Sequence, residues 1–353
     1  MDHAEYHTQQ GRWLHGLAAV LQSKNVFLQT SWALKAKKNL HCKALGLEVH
    51  GLSATQIEDL LQIVRRRNVF VRHYADRSFY PARMLEFADR TVIDIRANGD
   101  PDKVKEQAKV IAELFEKACI LSTTPAYPRS TLHRALAVTE HRREVVDLLM
   151  GQRFEVLSSS SKRTRELKGL VIDETFIDRF KKLGIEAIVQ AATEPTQTGT
   201  RVREGLNWLF ESRLEPHVPA AIVKTTIALE SMLGGDAKEP LRQTLSERSA
   251  FLLSAEPAMR KQVSQCIKQF YDIRSAVVHG SGKSKPKAID RTLETIDRLT
   301  LCILSTLSAN HAQLNSFEAM RIWCEECRWG TSTEIKRPVS TSILRHAIAY
   351  SAK

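Results

Sequence analysis

No stretch of the 353 residues approaches the roughly 18 consecutive apolar residues of a membrane-spanning helix. The N-terminus likewise lacks the basic, apolar and small-residue series of a secretory signal. The longest apolar-rich stretch, Leu299–Ala309, is interrupted by Thr300, Ser305, Thr306 and Ser308, and reads as a core helix. Cysteine is scarce and scattered, six in all, which fits a reduced, soluble, cytoplasmic protein with no membrane partner rather than a disulfide framework. Residues 1–200 contain no phosphate-cradling glycine loop, no nucleophile elbow and no paired metal motif, so no enzyme class can be argued for them. No internal repeat of the usual lengths runs through the chain. Cys324 and Cys327 have the two-residue spacing of a zinc knuckle, but no second pair follows and zinc takes four ligands. Cys42 beside His41 would complete a set only by long-range coincidence. No metal and no cofactor are therefore expected; Trp323 and Trp329 are expected to pack the last long helix on its neighbours.

What is present is an ordinary globular composition, 43% hydrophobic and 26% charged, in a chain long enough for two domains. The net charge of +12 favours a polyanionic partner such as RNA. Most of that excess lies outside residues 201–330. An N-terminal region that grips nucleic acid while a C-terminal region acts on it would explain the split, and so would a merely basic surface. Arg65, Arg66 and Arg67, followed by Arg72, are the best RNA-binding patch on offer, although charges at a helix end are usually a solvated face.

The pattern predicts a mainly α fold. The N-terminal region reads as mostly helical with a few short strands, and a helical bundle follows. Helices are expected over 4–21, after the capping box of Ser53 and Gln56, over 101–121 and from Ser130 toward Met150. Asn68–Tyr74 and Arg153–Ser161 alternate enough for strands, and the basic run after Ser161 reads as an exposed loop. The polar segment Glu194–Thr200, with Pro195 and Gly199, reads as a linker. Four parts result: 1–193 as a helical or α+β sensor or substrate-guiding region, 194–200 as linker, 201–330 as the main helical domain, and 331–353 as a basic tail.

The most informative stretch is YDIRSAVVHG, Tyr271–Gly280. An arginine and a histidine a few residues apart mean little by themselves, since Arg67 with His73 and Arg134 with His141 nearly repeat the spacing. Context separates them. Val263, Cys266, Ile267, Phe270, Ile273 and Val277 recur at helical steps and predict a buried stripe. Lys268, Asp272, Ser275 and His279 fall on a second, polar face, and Gly280 supplies a stop. Residues five apart on a helix lie about 140° apart around its axis. Arg274 and His279 of one chain therefore diverge, whereas two such helices about a two-fold axis would let the pairs converge.

From about Arg201 to Asn310 the chain resembles the Apea-like branch of the HEPN superfamily. The marks are RVREGLNWLFESRL (Arg201–Leu214), ALESMLGGD (Ala228–Asp236), LRQTLSERSAFLL (Leu241–Leu253) and YDIRSAVVHG, in that order. The resemblance implies a dimerising helical bundle and, in active members, a metal-independent endoribonuclease. Carried over by position, Arg274 and His279 match the two signature catalytic residues, Glu230 the acidic residue of the earlier helix, and Ser275 the polar position after the arginine. Asp272 and Tyr271 belong to the same string in supporting roles. The chemistry suits the residue types. The RNA 2′-hydroxyl attacks its own phosphodiester, His279 transfers protons and the Arg274 fork meets phosphate oxygens. The products would carry 2′,3′-cyclic phosphate and 5′-hydroxyl ends, and DNA would be spared. The resemblance further implies prokaryotic phage defence or growth control, an RNA target such as tRNA, and an antitoxin or regulator as partner. A non-catalytic dimeric protein that binds RNA or a nucleotide through the same residues, or serves as a scaffold, is the alternative.

Overall fold

A computed structural model describes residues 23–29, 34–51, 91–98, 101–124, 145–149, 153–157, 170–235, 240–279 and 286–349. Of the sequence expectations, the helices over 4–21 and after Ser53, the strand over 68–74, the basic run after Ser161 and the arginine patch Arg65, Arg66, Arg67 and Arg72 lie outside these residues. The fold is mainly α, with ten helices and short strands among the described residues. Two compact units divide the chain, residues 1–113 with 138–174, and residues 114–137 with 175–353.

The first unit is built on strands β1 (Ser23–Gln29), β2 (Leu34–Ala36), β3 (Leu40–Cys42), β4 (Leu47–Gly51), β5 (Thr91–Asn98), β6 (Val145–Leu149), β7 (Arg153–Leu157) and β8 (Leu170–Ile172). Six form an antiparallel sheet in the order β3-β4-β5-β1-β6-β7, and β2 pairs with β8 in parallel. Alternation sets one apolar face: Leu40, Val49 and Ile93 make one buried row across the register and Cys42, Leu47 and Ile95 the next. Gly46, at φ 57°, takes the left-handed turn into β4. Val145–Leu149 is strand, not the end of the helix expected from Ser130. Short apolar runs with β-branched residues fit either element, and hydrogen bonds to β1 and β7 decide for the strand.

The helices are α1 (Pro101–Ser122), α2 (Glu174–Lys182), α3 (Ile185–Thr193), α4 (Gln197–Leu214), α5 (Val218–Leu233), α6 (Leu241–Leu253), α7 (Pro257–Val278), α8 (Pro286–Ala309), α9 (Phe317–Trp329) and α10 (Thr341–Ala349). The expected 101–121 helix is thus found within a residue. From Leu114 onward α1 belongs to the second unit, where Phe115 sits 5.9 Å from Phe180 of α2. The predicted linker 194–200 also falls in this unit. Residues 194–196 are the turn from α3 into α4 and 197–200 the first turn of α4, capped by Thr196, whose hydroxyl accepts the Gly199 N–H at 2.9 Å.

α8 is the central helix. Residues 293–308 are all buried, and the helix packs on α3, α4, α5, α6, α7 and α10. Two of its hydroxyls are met locally or across the core, Ser308 donating to Leu304 O at 2.7 Å and Ser305 to Leu183 O at 2.6 Å, while those of Thr295 and Thr300 are buried without a hydrogen-bond partner. The core also holds ions. Arg213 of α4 is fully buried, with Nη1 2.9 Å from Glu294 and 3.2 Å from Asp297 of α8, and Asp297 accepts from the Thr225 hydroxyl of α5 at 3.0 Å. This network ties α4, α5 and α8 together. α4 and α5 approach closely at Gly205, where a Cβ would lie 2.4 Å from Met232 Cγ.

Residues 331–349, within the stretch read as a basic tail, are anchored. Ile335, Val339, Leu344 and Ala347 are buried, and Arg337 donates to Leu252 O and Phe251 O at the end of α6. α9 begins with Ser316, whose hydroxyl accepts the Ala319 N–H, and ends at left-handed Gly330. Trp323 is buried as expected, its indole donating to Thr333 O. Trp329 is not: it is 77% exposed, because the last turn of α9 carries it to the outer side. No helix among the described residues is long and apolar enough to cross a membrane.

Candidate functional site

α7 starts at Pro257, where the missing N–H costs nothing, and buries Met259, Val263, Ile267 and Phe270. The stripe then emerges: Cys266, Ile273 and Val277 are only partly covered and Val278 is 49% exposed. The expectation of a fully buried stripe is corrected here, because no element among the described residues fully covers the last two turns. His279 is the C-cap, exposed, its N–H on Ser275 O at 3.0 Å.

Glu230 sits in the last turn of α5, and its carbonyl accepts the Gly234 N–H at 2.7 Å. Burial pushes its carboxyl above the usual carboxylate range, and the Arg274 charge partly offsets that shift. Glu230 Oε1 and Arg274 Nε are both buried without a hydrogen-bond partner. The Arg274 guanidinium lies 5.7 Å from the centroid of the Tyr271 ring, one turn earlier on α7. Tyr271, Arg274 and Glu230 therefore form one cluster on α5 and α7. His279 stands at the open end of α7, beyond that cluster by a turn.

Asp272 is committed elsewhere. Arg242 of α6 grips it with two hydrogen bonds of 2.7 Å, and these hold its carboxyl below the usual range. The pair ties α6 to α7 at the surface. Ser275 supplies its backbone carbonyl to the C-cap and is half-buried.

Sequence reasoning missed the groups that hold the helix end after Glu230. Arg201 of α4 donates to Met232 O at 3.4 Å and Gly234 O at 3.3 Å, while Arg248 of α6 donates to Leu233 O at 2.7 Å. Both guanidiniums lie 4.6 Å from the centroid of the Phe317 ring. Burial and the neighbouring Arg248 push the Arg201 pKa down. Cations are favoured at the carbonyl end of a helix, where they satisfy orphan acceptors. Arg201 and Arg248 both lie in segments that carried the resemblance, yet nothing local in the sequence announces carbonyl partners 15 to 33 residues away.

Cys324 and Cys327 lie on α9 and are buried, and burial pushes the Cys324 thiol up to about 12. Burial raises Cys327 as well. Neutral thiols of this kind pack rather than ligate. No group of three or more His, Cys, Asp or Glu is placed to hold a metal among the described residues. Chemically, the α5–α7 cluster offers a guanidinium for an oxyanion and a carboxyl able to carry a proton, and the end of α7 beyond it offers an exposed imidazole for proton transfer. Comparison with protein families, curated proteins and solved structures finds no match for this chain.

Proposed function

We propose that the second unit is a metal-independent endoribonuclease of the HEPN type, acting as a homodimer on RNA. The observation that carries this reading is the meeting of Glu230 and Arg274, 44 positions apart, at the ends of α5 and α7. The resemblance implies one site for both residues, and their proximity supports it. In the proposed reaction Arg274 holds the phosphate that gathers charge, Glu230 orients the guanidinium, and His279 moves the proton between the 2′-hydroxyl and the leaving 5′-oxygen.

Two features of α7 support dimerisation. Arg274 and His279 diverge by about 140° around the helix. Ile273, Val277 and Val278 leave apolar surface uncovered beside them. A second α7 across a two-fold axis would cover that surface and bring one chain's His279 toward the other's Arg274. The +12 charge favours the RNA backbone as ligand. The setting in this reading is cytoplasmic phage defence or growth control, with tRNA among the targets and an antitoxin or regulator restraining the enzyme.

The test is incubation of wild-type and His279→Ala protein with total RNA in EDTA, followed by end-group analysis. The enzyme reading expects wild-type cleavage leaving cyclic phosphate ends, a loss of about 10²–10⁴-fold in the variant, and unchanged RNA binding. Binding without cleavage by either protein would transfer the site to the non-catalytic dimeric reading.

A further inference from the structure

Away from the Arg274 cluster, the second unit contains a cleft of about 260 Å³ between α2, α8 and α10. Its wall is apolar almost throughout, formed by Leu183, Leu301, Cys302, Ile343 and Ala347. Burial pushes the Cys302 thiol up to about 12, so it stays uncharged and belongs to that wall. Around the wall stand Arg179 and Lys182 of α2, Arg298 of α8 and the imidazole of His346 of α10. No acidic side chain lines the cleft among the described residues.

The two sets of residues demand different things of an occupant. An apolar wall gains free energy by excluding water and nothing by meeting a charge. A cationic border gains from an anion. Lys182 leans on Asp178 at 3.7 Å, but both are exposed and the contact is loose, so the ammonium can turn to a ligand. A purely apolar occupant would leave the cationic border without an anion, and a bare anion would leave the wall wet.

We propose that this cleft binds a small anionic amphiphile: an apolar body of medium alkyl length that fills the wall, and one carboxylate or phosphate head held by Arg179 and Lys182 at its rim. α10 is then a roof over the ligand, and its packing on α8 is completed by it. The proposal uses none of the residues of the RNA site, so it stands or falls independently of the nuclease.

The test uses the full chain and four probes in calorimetry and thermal shift: octanoate, hexyl phosphate, octanol and inorganic phosphate. Octanoate or hexyl phosphate should bind at least tenfold more tightly than octanol and than phosphate alone. The better of the two identifies the head. Arg179→Gln combined with Lys182→Gln should weaken the anionic probes about tenfold and leave octanol unchanged. Ala347→Phe, which fills the wall, should abolish binding; if it fails to fold, the charge variant carries the test. Octanol binding as tightly as octanoate, phosphate binding as tightly as either amphiphile, or no binding by any probe would each overturn the proposal.

Discussion

Replacing Arg213 by Met isolates the energetics of the ion network that holds the helices behind the site. The side chain is fully buried and joins Glu294 at 2.9 Å and Asp297 at 3.2 Å, of which Asp297 is also fully buried. Met keeps most of the volume and the apolar stem, so packing changes little. The electrostatics change greatly, because two carboxylates lose the cation that compensated their removal from water. Removing one partner of a buried pair costs about 3–5 kcal/mol, and taking the shared cation from two anions at once places Arg213→Met toward the upper end. Urea unfolding followed by tryptophan fluorescence reads this directly, since Trp208, Trp323 and Trp329 all lie in the second unit. With a slope of about 2 kcal/mol per molar urea, the midpoint should fall by roughly 1.5–2.5 M. The triple variant Arg213→Met/Glu294→Gln/Asp297→Asn leaves no charge at these three positions and should recover more than half of the loss, with the Thr225 hydroxyl still facing an amide oxygen. A midpoint shift below about 0.5 M for the single variant, or a triple variant no more stable than the single, would refute the account.

Two further outcomes are expected. Glu230 has a folded pKa raised above the ordinary carboxylate value by burial. Its contribution therefore favours the fold at pH values below about 4.3 and is lost as pH rises through the raised folded value. Glu230→Gln should gain in melting temperature relative to wild type between pH 4 and pH 8, and a constant or shrinking difference would contradict the burial. Cys302 and Cys324 have thiols pushed up to about 12. A thiol reagent at pH 7.5 should label them only after urea is added, and labelling of either at the rate of a free thiol in the native protein would show that the helices open there.

How much of the molecule is legible in sequence differs by residue. The 101–121 helix, the core character of Leu299–Ala309 and the buried half of α7 follow from periodicity, which reports the apolar face of a helix. Periodicity does not report who covers that face, and Ile273 and Val277 remain half-covered in the chain itself. Val145–Leu149 misleads because a five-residue apolar run fits helix or strand, and the strand that settles it, β1, lies about 120 residues earlier. The arginines are the least legible. Arg201, Arg213, Arg242 and Arg248 look like ordinary surface charges in sequence, and each acquires its meaning from a partner on another helix.

The site itself violates local rules in a way that sequence can point to but not explain. Glu230 is an acid in the last turn of a helix, where the macrodipole disfavours negative charge, and it is partly buried, which disfavours charge again. A chain folding only for stability would place Gln or Lys there. Three cations converge on that helix end instead: Arg274 acts on the carboxyl, while Arg201 and Arg248 occupy the terminal carbonyls. With those carbonyls already engaged, Arg274 is not needed to cap the helix, and its buried Nε meets no acceptor. A carboxyl held against two unfavourable terms, beside an arginine whose Nε meets no acceptor, is an arrangement that the proposed oxyanion site would use and that fold stability alone does not call for.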